Sequence, residues 1–228
     1  MPINYINLKN GIIGFSQKNY LTKRHTHFYI EVAFAVTGYL DLITDHKEYR
    51  HIQSAVIPSN IPHTFDCSKG ECQLYFIDPT SYMGIELIRV YLTPTNEIVV
   101  NQLKSIDSFL QRFLACFDKQ NVGLKDERIK VCLQWMDSNY APENMTISKL
   151  SEITFLSESR LARLFKESVG CSLHQYILWK KMEIAIKFAQ KGASLTQCAH
   201  IAGFVDSSHF TKTFKNMFGI YPYFALKQ

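Results

Sequence analysis

Ile201-Ala202-Gly203-Phe204-Val205-Asp206-Ser207-Ser208-His209-Phe210-Thr211-Lys212-Thr213-Phe214-Lys215 decides the fold, because the chain carries a second copy of its pattern. Forty-nine residues upstream stands Phe155-Leu156-Ser157-Glu158-Ser159-Arg160-Leu161-Ala162-Arg163-Leu164-Phe165-Lys166. Phe155 aligns with Phe204, Ser157 with Asp206, Ser159 with Ser208, Leu161 with Phe210 and Arg163 with Lys212. Phe165-Lys166 aligns with Phe214-Lys215, and Gly170 with Gly219. Leu161, Leu164 and Phe165 recur at spacings of three and four, the buried stripe of an amphipathic helix. A short helical pattern precedes each copy, at 147–153 and at 195–202, so each copy reads as helix, turn, capped helix. Two ordinary helical hairpins with solvated faces are the plain alternative, and repetition at a fixed offset argues against it.

Working outward, Thr146, Ser157, Ser172, Ser194 and Asp206 are the residue types that cap helix N-termini. Ile129, Cys132, Leu133 and Met136 form one face of a helix that stops before Asn139-Tyr140-Ala141-Pro142. Between the copies, 172–191 predicts a connecting helix about 30 Å long at 1.5 Å per residue. Successive major grooves on one side of DNA lie about 34 Å apart, so a rigid connector of that size suits two recognition helices in adjacent grooves.

Charge points the same way. The chain has 228 residues and a formal net charge of +5, and all of the excess lies after residue 123: 14 Lys/Arg against 9 Asp/Glu there, 11 against 11 before it. Cations attract phosphate and release its counterions, so the basic half is where nucleic acid binds. Each second helix carries a packed side and a polar side. Ser157, Ser159, Arg160, Arg163 and Lys166 in the first copy are the DNA-facing candidates, with Ser207, Ser208, His209, Thr211, Lys212 and Lys215 in the second.

This half resembles the AraC/XylS family of regulators over residues 124–228. The most specific part is Ile201-Ala202-Gly203-Phe204, then Ser208-His209-Phe210, Phe214-Lys215 and Phe218-Gly219-Ile220-Tyr221-Pro222; the first copy joins through Leu161, Arg163, Leu164, Phe165-Lys166, Gly170 and Tyr176. The resemblance implies a double helix-turn-helix domain on promoter DNA, usually activating RNA polymerase. The chain departs from the family pattern at Leu150-Ser151, where Leu-Ala is usual, at Lys180-Lys181, where an Arg is common, and in the tail Pro222-Tyr223-Phe224-Ala225.

The first ninety-odd residues read as strands. Runs at 32–36, 39–43 and 73–77 are bounded by Thr37-Gly38, Thr44-Asp45, Pro58-Ser59-Asn60 and Ser68-Lys69-Gly70, the pattern of a small barrel or sandwich. His25-Thr26-His27-Phe28-Tyr29-Ile30-Glu31, a Gly38, and Pro58-Ser59-Asn60-Ile61-Pro62-His63 resemble the two motifs of the cupin barrel, with Asn60 where the second has Gly. On an extended strand residues 25, 27 and 31 share one face. With His63 from a facing strand they would make a site of three imidazoles and one carboxylate, suited to Zn, Ni, Mn or Fe. Hydrogen bonding within the barrel, or contact with a small-molecule effector, is the other role open to them. Cys67 and Cys72, just beyond His63, read first as small core residues.

The expected organisation is therefore α+β in two domains: a cupin-like β-barrel for sensing or dimerisation over 1–98, a helical linker over 99–123, and an all-α double helix-turn-helix over 124–228. The apolar spacing over 101–119 predicts an amphipathic helix that either pairs with its copy in a dimer or packs on its own barrel. No apolar run is long enough to cross a membrane, the N-terminus does not read as a signal peptide, and six scattered cysteines without a CxxC pair indicate a reduced, cytoplasmic chain. The rival function is a cupin metalloenzyme, of dioxygenase or isomerase type, fused to a DNA-binding module. No nucleophile elbow, P-loop or dinucleotide motif supports it, and a regulator controlled by a ligand or metal is the expectation.

Overall fold

The computed structural model describes residues 5–7, 11–114, 125–139 and 145–223. They fall into two compact units, residues 1–122 with 215–228, and residues 123–214.

The first unit is built on an eight-stranded antiparallel sheet, curled into the expected barrel-like form. Its strands are β1 (Tyr5–Asn7), β2 (Ile12–Leu21), β3 (Ile30–Thr37), β4 (Leu40–Thr44), β5 (Glu48–Ile52), β6 (Ser54–Ile57), β7 (His63–Ile77) and β8 (Val99–Val100). The order is β1-β2-β7-β3-β6-β8, with β4 pairing β5 and β7. Side chains alternate between faces with period two. Ile30, Val32 and Phe34 join Ile12, Tyr75 and Ile77 in one core under Met83, Leu87, Leu92 and Phe109. Those four come from α1 (Tyr82–Leu87), a π-helical turn (Ile88–Leu92) and α2 (Ile106–Leu114). The alternate residues Ile13, Phe15, Glu31, Ala33, Leu74 and Phe76 are buried as well. Phe15 stacks on Phe76 at 5.4 Å, so the sheet is covered on both faces.

The predicted strands 32–36 and 73–77 lie within β3 and β7, and 39–43 matches β4 except for Tyr39, which precedes it. Ser68-Lys69-Gly70, expected to reverse the chain, does not: β7 runs through it for 15 residues. Its first part pairs with β4, Asp66 opposite Asp41, and its second with β3, Ile77 opposite Ile30. The register with β2 slips between Lys18 and Tyr20. Gly70 serves the close approach of two backbones, since a Cβ there would stand 2.2 Å from the Thr37 carbonyl oxygen. The amphipathic helix predicted over 101–119 is observed as α2 over 106–114; residues 101–105 are not helical, and residues 115–119 lie outside the described residues. Phe109 packs back onto Phe34 at 5.6 Å and Tyr75 at 5.4 Å.

The second unit is helical: α3 (Glu127–Ser138), α4 (Ile147–Thr154), α5 (Glu158–Val169), α6 (Leu173–Gln190), α7 (Leu195–Ile201) and the start of α8 (Ser207–Phe218). All five predicted caps form. Thr146, Ser157, Ser172 and Ser194 accept from backbone N–H groups three residues on, and the Asp206 carboxylate accepts from the His209 N–H at 2.7 Å. Ser172 with Gln175 and Ser194 with Gln197 complete capping boxes. The 18 residues of α6 span about 27 Å. Leu150, Leu161, Phe165, Trp179, Met182, Cys198, Phe210 and Phe214 are buried. Lys180, one of the two lysines where an Arg was expected, is 5% exposed and pairs with Asp137 at 2.8 Å and Glu183 at 3.1 Å, tying α6 to the end of α3. The described cysteines, Cys67, Cys72, Cys132, Cys171 and Cys198, are all buried and free of disulfides.

Candidate nucleic-acid interface and metal centre

Each α5/α8 candidate has a definite place. On α5, Leu161 and Phe165 are fully buried while Ser157, Ser159, Arg160, Arg163 and Lys166 are exposed. The Ser157 hydroxyl is spent on its cap, accepting from the Arg160 N–H. Arg163 meets Glu167 at only 3.8 Å with both side chains 64% exposed, so the pair is weak and screened. On α8, Ser208, Lys212 and Lys215 are exposed, and Ser207 and Thr211 half-buried. Lys215 donates to the Tyr221 hydroxyl at 2.8 Å. His209 is tucked edge-on against Phe204, centroids 5.4 Å apart, with its Nδ1 buried and unbonded.

The two turns differ in a way the sequence alignment hides. In the first, Phe155 takes the left-handed conformation, φ 54° and ψ 37°, and the Leu156 N–H returns to the Ser151 carbonyl at 3.2 Å. In the second, Gly203 takes it, φ 69°, and the Phe204 N–H returns to the Ala199 carbonyl at 2.9 Å. By conformation Phe155 therefore corresponds to Gly203, and Leu156 to Phe204; Val205 is an extra residue before the second cap. The Ser151 hydroxyl donates to the Leu156 carbonyl and closes the first turn, a role for one of the departures from the family pattern. Lys181 does comparable work in the second, its ammonium donating to the Gly203 carbonyl at 2.8 Å.

In the first unit, His25, His27, Glu31 and His63 converge, with one ligand atom from each lying within 4.8 Å of the others. The route differs from the expected continuous strand. β3 begins only at Ile30, residues 26–29 are not strand, and His25 sits in an isolated bridge with His63. The chain bends between the two parts, so convergence comes from the bend and from the His25–His63 bridge, not from period-two alternation alone. Tyr29, unremarked in the sequence, lies flat on the His27 ring, centroids 4.1 Å apart at 17°.

Each imidazole is oriented through its Nδ1: His25 on the Lys23 carbonyl at 2.9 Å, His27 on the Tyr29 carbonyl at 3.0 Å, His63 on the Ile61 carbonyl at 2.8 Å. A carbonyl accepts only, so each Nδ1 carries the proton and each Nε2 is left to the cluster, as in metal-binding imidazoles whose far nitrogen donates to a carbonyl. His27 Nε2 is 3.0 Å from Glu31 Oε2. His63 Nε2 is 3.4 Å from the same oxygen, an ion contact without hydrogen-bond alignment, and it and Glu31 Oε1 are buried without a partner. Burial and then the charge of His63 bring His25 down to about 4. Burial likewise lowers His27 against the pull of Glu31. At His63 burial is outweighed by the Glu31 carboxylate, and its value rises. Burial opposes ionisation of Glu31, yet His27 and His63 hold it well below the usual carboxylate range. Metal ligands at about 2.0–2.2 Å lie about 3–4 Å from one another, so this donor set suits a divalent transition ion with modest closure, and such an ion would satisfy both orphaned atoms.

A family profile described as a helix-turn-helix domain matches residues 150–228. The chain is 36% identical over 92 residues to the multiple antibiotic resistance protein MarA of Escherichia coli, covering 40% of this chain and 72% of MarA. It is 29% identical over 123 residues to LumQ of Photobacterium leiognathi, covering 52% of this chain and 47% of LumQ; the chain thus spans about half of LumQ's length. Among solved structures, ToxT of Vibrio cholerae superposes with a TM-score of 0.55 at 14% identity, over 92% of this chain and 94% of that one, which is a likeness of fold. Another ToxT structure, with an unsaturated fatty acid bound, gives 0.54 at 13% identity, over 92% of each chain. With the capped double helix-turn-helix, its exposed basic faces and these relatives together, the chain belongs to the AraC/XylS family of DNA-binding transcription regulators.

Proposed function

We propose that this protein is a metal-controlled transcription activator: α5 and α8 hold promoter DNA, and His25, His27, Glu31 and His63 take up a divalent transition ion in the barrel. The observation that carries the metal reading is the shared orientation of the three imidazoles, each pinned through Nδ1 to a main-chain carbonyl, with the Nε2 atoms of His27 and His63 against the buried Glu31 carboxylate and His25 in the same cluster. Zn, Ni, Mn or Fe suit three nitrogens and one oxygen. When bound, the ion supplies charge that neutralises Glu31 and ties the 25–27 stretch to β3 and to the start of β7. It controls DNA binding only to the extent that it favours one arrangement of the chain over another. A small organic effector is the alternative occupant of the same barrel. RNA polymerase is the partner that an activator of this family recruits, and the cytoplasm is where such a protein meets DNA. A homodimer through α2 would have to form around Phe109, which already packs on its own sheet.

The test is elemental analysis of the purified, untagged protein beside a His27→Ala/His63→Ala variant, with DNA affinity measured before and after chelation. Near-stoichiometric metal that disappears in the variant, and a DNA affinity that moves on chelation, support the proposal. Metal-free wild type that takes up none of the four ions would refute it. Metal that binds without altering DNA affinity would turn the barrel towards the rival metalloenzyme.

A further inference from the structure

Eight large hydrophobic residues are exposed among the described residues, and two stand apart: Phe155 at 94% and Val205 at 87%, against 57% for the next, Leu21. Both lie in the turns of the two helix-turn-helix units, Phe155 two residues before the cap Ser157 and Val205 one before the cap Asp206. Neither is explained by folding. A phenylalanine so exposed contributes almost no burial, and in the left-handed region it costs about 1–2 kcal/mol relative to an ordinary conformation, in a place where the second unit has Gly203. The chain even adds the Ser151 hydroxyl to hold this turn, where the second unit has a buried alanine, Ala199.

Position says what meets these side chains. Phe155 is two residues from Ser157 and Val205 one from Asp206, at the N-terminal ends of α5 and α8. Recognition helices enter the major groove by that end. Apolar side chains there meet the thymine methyl group or the deoxyribose edge, the apolar parts of a duplex. We infer that Phe155 and Val205 are DNA-contact residues, one per unit, each laying an apolar side chain on a thymine methyl or a deoxyribose of the bound promoter. The inference rests on the reading that α5 and α8 bind DNA. It would also supplement α8, whose polar face has no arginine.

The experiment uses the full chain and a duplex it selects from a random-sequence pool. F155G and V205S are compared with wild type and with R163A, for binding and for thermal unfolding. Covering about 50 Å² of a phenyl ring contributes about tenfold in affinity, so F155G binds about tenfold more weakly while its unfolding midpoint holds or rises, because glycine suits the left-handed turn. V205S loses less, in proportion to its smaller side chain. Replacing thymine by deoxyuridine in the duplex separates the two sources: the F155G deficit disappears on the substituted duplex if the ring meets a methyl and persists if it meets deoxyribose. A lowered unfolding midpoint in F155G would assign Phe155 to packing and overturn the inference. So would wild-type affinity in F155G; if transcription from a reporter then fell, the residue would face a protein instead. R163A weakened beside an unaffected F155G removes this inference alone, whereas a wild type that selects no duplex removes the DNA reading as well.

Discussion

Replacing Arg163 by alanine tests whether the exposed face of α5 lies on DNA. Its guanidinium is 64% exposed and its one ion pair, with Glu167, is 3.8 Å long, so the fold has little to lose: about 0–0.5 kcal/mol, as for an exposed helix pair. Binding has more. Arg160, Arg163 and Lys166 on α5 and Lys212 and Lys215 on α8 are the exposed cations of the two recognition helices. If each of the five neutralises one phosphate, the logarithm of the binding constant falls against the logarithm of salt with a slope of about −4.5, and R163A reduces it to about −3.6. Between 50 and 200 mM salt this is a loss of about 500-fold for wild type and about 150-fold for R163A. Fluorescence anisotropy on a labelled duplex over a KCl series reads both slopes. R163K divides the roles of the side chain: it keeps the charge and the slope, but loses the two-pronged contact with a guanine edge, so sequence discrimination falls if Arg163 reads a base. Wild-type affinity and slope in R163A would refute the placement of this face on DNA.

Lys181→Met removes the ammonium from the Gly203 carbonyl at 2.8 Å; urea unfolding should show a loss of about 1.5–3 kcal/mol, as for a hydrogen bond to a charged group, and an unchanged midpoint would show that the second turn holds without it. Gly70→Ala places a Cβ 2.2 Å from the Thr37 carbonyl oxygen, a main-chain clash that no rotamer relieves, so a loss of about 3 kcal/mol or more, the upper end for overpacking, is expected by thermal unfolding, and a wild-type midpoint would contradict the β3–β7 register. Asp126 caps α3, and the Arg128 guanidinium, with the backbone, holds its carboxyl down to about 2 from an ordinary 3.8. A lowered carboxyl value gives stability that is present above the unfolded value and lost as pH falls. Wild type should therefore exceed D126N by less than about 1 kcal/mol near pH 7, after screening at this exposed site, with the gap closing between pH 3.8 and about 2; a pH-independent gap in chemical unfolding would count against the pair.

Much of the helical unit was legible because helices are written locally. The caps Thr146, Ser157, Ser172, Ser194 and Asp206 act within three residues, and the apolar spacing of α3 and α5 names the buried side without reference to any partner. The four residues of the barrel cluster were legible as a motif, and so was the burial of β3, β4 and the end of β7. Other features depend on what stands opposite. Phe155 and Phe204 look equivalent in the alignment, yet one is a solvent-exposed left-handed residue and the other is buried, because the second turn is one residue longer and backbone conformation cannot be read from residue type. Ser68-Lys69-Gly70 has turn composition but lies inside β7, since Gly70 is required by the nearness of Thr37 from another strand. His209 carries the composition of a DNA-reading residue but rests on Phe204. The sequence by itself determined the local elements and the set of candidate ligands, through interactions that span a few residues. The imidazole orientations are local too, each Nδ1 meeting a carbonyl two residues away. Only the tertiary structure decided which side chains face solvent and how His63 is brought against His25 and Glu31, because these are settled by strands and rings distant in sequence.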